Sequence, residues 1–179
     1  MANSSIITDL KTKVITEIIN DETLFYAINS PDINNFEDSA KLINTHLFRY
    51  NQNPIVLDKS ITFLTFQVHM PKTYGFNRWV KPHLEIWIIS HVDCMKVDNI
   101  PKIIANRNDY ISELLDVKFN GRTTLGLSDD PNPLKLFGEL SLVNNTEGSI
   151  TKDYLYRQMV FETKDLNKSV CLSGENYEY

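Results

Sequence analysis

Two stretches of the chain are dense in β-branched and aromatic residues, 61–70 (ITFLTFQVHM) and 83–92 (HLEIWIISHV). That pattern predicts two strands at the centre of one sheet. In the first, Ile61, Phe63 and Thr65 share a face while Leu64, Phe66, Val68 and Met70 share the other, so neither side is plainly solvated. A sheet covered by helices on one side and by a neighbour on the other satisfies both. In the second stretch, Leu84, Ile86, Ile88 and His91 do not keep strict phase. Glu85, Trp87 and Ile89 form the alternate face, where the Glu85 charge must find water, a partner or an edge. Residues 134–143 and 154–163 read as two further strands. Leu136, Gly138, Leu140 and Leu142 are in phase in the first, and Leu155, Arg157, Met159 and Phe161 oppose Tyr154, Tyr156, Gln158, Val160 and Glu162 in the second.

Helical spacing occurs between these runs. Ser4 or Ser5 is placed to cap a helix reaching about Ile19, with Ile7, Leu10, Val14 and Ile18 as its stripe and Ile15 and Ile19 widening it. Asn20 and Asp21 break it before a short helical turn, DETLFYAI. A third helix is predicted from Asn35 or Phe36 to Phe48 on the spacing of Phe36, Ala40, Ile43 and Leu47. A fourth runs from near Lys102 to Phe119, with Ile103, Arg107, Tyr110, Leu114 and Val117 as its rhythm, Ile104, Ile111, Leu115 and Phe119 broadening the face, and Asn120-Gly121 ending it. Between the elements, residues 126–133 (GLSDDPNP) have the composition of a mobile connection and 144–152 (NNTEGSITK) read as a loop. The order predicts one α+β domain over residues 1–165, an antiparallel sheet of at least four strands packed by helices. Residues 166–179 are too sparsely patterned for a helix and read as a C-terminal extension or assembly arm, with Val170, Leu172 and Tyr177 as separated anchors.

Composition narrows the function classes. A chain of 179 residues fits one domain. Its net charge of −5 argues against a dominant nucleic-acid or acidic-membrane surface. No apolar run approaches the ~20 residues that cross a bilayer, and the start lacks a basic segment followed by an apolar one. These features predict a protein folded in the cytoplasm without its own membrane anchor. Cys94 and Cys171 form neither a dense disulfide scaffold nor a CxxC pair, so reduced thiols are expected.

Candidate chemistry is sparse. His69 and His83 flank the 71–82 stretch, and His91-x-x-Cys94 has ligand types at a short spacing, yet no second compact pair completes a tetrahedral site. Asp129 and Asp130, with Glu139 and Glu147 farther on, supply carboxylates for acid–base work or simply a solvated turn. No serine sits in a nucleophile elbow, and Gly121 and Gly126 make no phosphate cradle. No catalytic, cofactor or metal residue is nominated. The strongest feature is the stretch 71–82, PKTYGFNRWVKP, too long for a tight turn. Its Tyr74, Phe76, Arg78, Trp79 and Lys81 are residue types that anchor protein interfaces. Two other readings stand beside that one: Phe76 and Trp79 fold back to cap the sheet, or the stretch forms part of a single-stranded nucleic-acid platform, which would need a broader positive groove.

The strings HLEIWIISHVDCMKV, DYISELLDVKFNG and GELSLVNNTEGSITKDYLYRQMVFETKDLN resemble small proteins of the structural modules of tailed bacteriophages and prophages of Firmicutes, placed among head-tail connector or tail-completion proteins. The order of elements also resembles the tail-terminator fold. The resemblance covers roughly residues 61–167. It implies a virion subunit, present in the host cytoplasm during assembly, that forms a ring of about six identical copies between the tail tube and the neck or connector proteins. Such a role needs no cofactor, catalysis, membrane contact or sequence-specific nucleic-acid binding. The 36–48 region and the tail beyond Leu166 depart from a minimal terminator-like domain, which leaves open which ring the chain would form. A non-catalytic protein- or peptide-binding module is the alternative, and a metal-dependent enzyme the third reading.

Overall fold

A computed structural model describes residues 4–54, 59–69 and 82–163. Within them α1 (Ser4–Ile19) and α2 (Glu22–Ile28) precede a 3₁₀ helix (Phe36–Leu42). Then come β1 (Leu47–Phe48), β2 (Thr62–His69), β3 (His83–His91), α3 (Arg107–Phe119), β4 (Arg122–Leu125), β5 (Leu134–Ser149) and β6 (Tyr154–Glu162). The six described strands form one sheet in the order β1-β2-β3-β6-β5-β4. All neighbours are antiparallel except β1 and β2, so the sheet is mixed rather than wholly antiparallel. The fold is α+β, with the helices on one face.

The helical face holds the larger core. Leu10, Val14, Ile15 and Ile18 of α1, Leu24, Phe25 and Ile28 of α2, and Ile111, Leu115 and Phe119 of α3 pack on Leu64, Phe66, Leu84, Ile86, Ile88, Met159 and Phe161 from the three central strands. Each such side chain contributes roughly 1.5–3 kcal/mol when taken out of water. Asp21, the residue that breaks α1, caps α2 by accepting the Leu24 N–H at 3.1 Å. Lys118 of α3 also donates to it at 2.7 Å. Burial alone would raise the Asp21 pKa, but these partners outweigh it and leave the carboxyl below its ordinary value.

Four sequence expectations are corrected. The 36–48 stretch is a 3₁₀ helix that stops at Leu42, because Asn44 turns into left-handed backbone at φ 65° and Leu47–Phe48 pairs with β2 instead. α3 begins at Arg107 rather than near Lys102. Lys102 has φ 70°, and Asn106 caps the helix through the Asp109 N–H at 2.9 Å. Its buried stripe is Arg107, Asn108, Ile111, Ser112, Leu115 and Phe119, while Val117 is 82% exposed. Residues 144–149 are not a loop but the second half of β5, paired with β6 as far as Ser149↔Leu155. The 126–133 connection is pinned to α1. Lys13 reaches Asp130 at 2.6 Å, and buried Glu17 accepts the Gly126 N–H at 2.6 Å while facing Arg122. The Lys13 hydrogen bond holds the Asp130 carboxyl below the usual range. A Cβ on Gly126, where φ is +130°, would meet Asp130 Oδ2 at 2.5 Å, so this turn closes only around glycine.

Candidate functional site

Strand alternation sends one row of side chains from the central strands to the face opposite the helices. Register sets the rows: Phe63↔Ile89↔Tyr156, Thr65↔Trp87↔Gln158, Gln67↔Glu85↔Val160 and His69↔His83↔Glu162. At one end, Phe48, Ile61, Phe63, Ile89 and Tyr154 form a second apolar cluster with Trp87 and Tyr156 at its margin. The chain after β1 folds over it. Tyr50 meets Phe48 edge-on, with ring centroids 5.7 Å apart, and Tyr154 Oη donates to the Lys59 carbonyl at 2.7 Å.

Beside this cover the face opens into a groove of about 420 Å³, walled by residues 51–54 on one side and by Trp87, Ile89, Ile150 and Tyr156 on the other. Trp87 and Tyr156 are neighbours across β3 and β6 and stack at 4.7 Å with a 44° tilt. Tyr156 can lie there because Gly148 of β5 is its cross-strand partner, where a Cβ would meet Tyr156 Oη at 2.7 Å. Ile150 is 40% exposed and Tyr50 54% exposed, so apolar surface at this end faces solvent. The indole Nε1 of Trp87 and the hydroxyl of Thr65, in register beside it, are buried and without hydrogen-bond partners among the described residues. Gly148→Ala is expected to push Tyr156 off Trp87 and shift Trp87 fluorescence, read in a Trp79→Phe background that leaves one tryptophan. An unchanged spectrum would show that the ring's position does not depend on the missing Cβ.

The other end of the same face is polar. Glu85, 9% exposed, faces His69 Nε2 at 2.6 Å and accepts a hydrogen bond from Gln158 Nε2. His83 Nε2 stands 3.3 Å from Glu162. The charge on β3 thus finds partners on both neighbouring strands. His69 and His83 do meet across the β2–β3 pair, but each faces a carboxylate. His91 lies on the Glu85 face, because Ser90 turns to the helical side and hydrogen-bonds Thr62 and Asn108. The His91 ring approaches Asp93, whereas Cys94 Sγ donates to the Ser60 carbonyl at 3.3 Å, so the two do not converge. Burial pushes the Cys94 thiol up, which keeps it protonated near neutral pH. Among the described residues no group of three or more His, Cys, Asp or Glu is placed to hold a metal ion. No described helix is long and apolar enough to cross a membrane.

Of the interface residues nominated from sequence, Tyr74, Phe76, Arg78, Trp79 and Lys81 lie outside the described residues, as do Val170, Leu172 and Tyr177. The groove residues Tyr156, Ile150 and 51–54 were not nominated. Tyr156 joins Trp87 only once β3 is known to pair with β6, a relation between segments far apart in the chain. The available signal was weak: Trp87 shared the Glu85 face, and Gly148 stood in a polar run.

No curated protein and no solved structure matches the chain. A family model described as YomW matches residues 21–163, from the cap of α2 to the end of β6, so the chain belongs to the YomW family.

Proposed function

We propose that this protein is a structural subunit of a bacteriophage head–tail interface, a tail terminator or neck ring that joins the tail tube to the connector. It works through contacts between copies and with neighbouring virion proteins, without catalysis or a cofactor. The observation that carries the reading is the asymmetry of the sheet. Three helices seal one face, while the other keeps an aromatic groove and exposed apolar groups at one end. Exposed aromatic and apolar surface of this kind marks protein contacts, and a closed ring of identical subunits buries it on every copy. The resemblance of residues 61–167 to head–tail completion proteins supplies the setting, a virion part made in the host cytoplasm.

Residues 71–82 and the C-terminal arm are the proposed contact segments, with Phe76, Arg78 and Trp79 as anchors of the first. In the chain the stretch 71–82 lies between β2, which ends at His69, and β3, which begins at His83. Light scattering is expected to return the mass of about six copies, and class averages of the particle's neck to show a ring. Trp79→Ala should weaken assembly by about 2 kcal/mol, roughly thirtyfold, with the monomer still folded. A single monomeric copy per particle would overturn the reading. A monomer that binds one soluble ligand through the groove would favour the second reading, a peptide-binding module, which the groove's aromatic walls also suit.

A further inference from the structure

We infer that the groove between residues 51–54 and the Trp87–Tyr156 pair is the seat of the C-terminal segment, residues 164–179, of a second copy of this chain. The inference rests on the ring reading and names the contact that would close the ring.

The groove and the point from which the segment departs are at opposite ends of one strand. Tyr156 stands at the groove, near the start of β6, and β6 ends at Glu162 roughly 20 Å further along. The exit is fixed. Thr163 is 2% exposed and its N–H bonds to the Pro82 carbonyl at 3.3 Å, so residues 164–179 begin from an anchored point and reach up to ~50 Å when extended. To enter its own subunit's groove the segment would have to reverse and run back along β6. A copy placed head to tail offers its groove in the direction the chain already travels, and a donor at one end with an acceptor at the other is the geometry of a heterologous, ring-closing contact.

The chemistry of the two surfaces agrees. Val170 and Leu172 are two residues apart, so an extended segment turns both to one side, with Ser169, Cys171 and Ser173 on the other. The groove offers Trp87, Tyr156, Ile89 and Ile150 to the apolar pair. Its opposite wall carries Asn51 and Gln52, whose amides suit the donors and acceptors of an extended backbone. Among the described residues no charged side chain lines the groove, and 169–174 (SVCLSG) carries none.

The test uses two full-length variants. Ile150→Asp places a charge in the groove at a 40% exposed position, and Leu172→Asp places one in the segment. Each alone is expected to self-associate at least tenfold more weakly than the unaltered chain in sedimentation velocity, with an unchanged circular dichroism spectrum. Mixed, the intact segment of the first can enter the intact groove of the second, so a one-to-one pair should appear. If Leu172→Asp assembles as well as the unaltered chain, the groove is not the seat of the segment and the ring reading stands without it. If the two weakened variants fail to pair when mixed, the head-to-tail contact falls. An unaltered chain that is monomeric at every concentration overturns the ring reading and the docking together, whereas protection of Trp87 from quenching in such a monomer would place the segment in its own subunit's groove.

Discussion

Arg107→Ala lowers the stability of the domain by about 3 kcal/mol or more, measured as a shift of the urea midpoint against the unaltered chain. Arg107 opens α3 yet is only 3% exposed, and among the described residues no carboxylate forms an ion pair with it. Its guanidinium spreads over backbone instead. Nε donates to the Cys94 carbonyl at 2.6 Å, Nη1 to Ala27 at 2.5 Å, and Nη2 to Lys96 at 2.5 Å and the Asn99 side chain at 3.2 Å. Ala27 lies in the last turn of α2, where the helix dipole is negative, so the cation is stabilised by aligned carbonyls rather than by an ion pair. Burial lowers its pKa, though from a value so high that the charge persists. Alanine leaves the buried Ala27 carbonyl without its donor, at roughly 1–3 kcal/mol, and removes the charge-assisted bonds to the part-exposed Cys94, Lys96 and Asn99 acceptors, which water replaces in part. Arg107→Lys should recover only a fraction, because one ammonium cannot span carbonyls that a planar fork reaches together. A midpoint unchanged in both variants would show that water replaces the guanidinium at no cost.

Between pH 6.5 and 4, acid should destabilise the protein through His46, above the range in which Asp21 and Asp130 take up protons. His46 is 4% exposed, its Nδ1 stands 3.1 Å from the Thr45 hydroxyl, and its Nε2 has no partner among the described residues. Burial pushes its pKa down to about 4, with Asp32 raising and Lys59 lowering it further by smaller amounts. The unfolded chain takes up the proton near 6.5 and the folded protein does not, so stability is full above that pH and declines as pH falls toward 4. The total loss is on the order of 3 kcal/mol, from about 1.4 kcal/mol per pH unit over that interval. His46→Leu removes the proton-binding group, so the difference between the two stability curves should open between pH 6.5 and 4 and stay level above it. Parallel curves through that window would mean that the imidazole charges without cost in the folded state.

The strands and α1 were readable because each carries its face pattern locally. The alternation of Leu64 and Phe66 against Phe63 and Thr65, and of Met159 and Phe161 against Tyr156 and Gln158, requires no knowledge of partners. Errors arose where a tertiary contact overrides a local period. Residues 36–48 have helical spacing, but Leu47 gains more from the β2 edge than from another helical turn. Arg107 was counted among apolar stripe positions and is indeed buried, for a reason spacing cannot express: its carbonyl partners lie up to 80 residues away. Residues 144–149 looked like a loop because Asn144, Asn145 and Thr146 are exposed, and an extended ribbon with so little to bury carries no alternation to detect. The groove was invisible for a related reason. It is made by the meeting of β3, β6 and the chain after β1, and no one of these segments carries its signature.

The strand order separates two kinds of pairing. β5 and β6 are joined by a connection of only residues 150–153, and β2 and β3 are also consecutive, so both ribbons can form from nearby chain. The seam between β3 and β6 joins residues 83–91 to 154–162, with α3, β4 and β5 in between. Closing so long a loop costs entropy before any contact along the seam repays it, and topologies dominated by such pairings fold slowly. Until that seam zips, Leu84 and Ile86 lack Phe161 and Met159 as neighbours across it, and α3 has only part of its platform. The interval in which the chain is most exposed to wrong association is therefore set by this one central junction, and a newly made subunit must complete it before its open face can serve any partner.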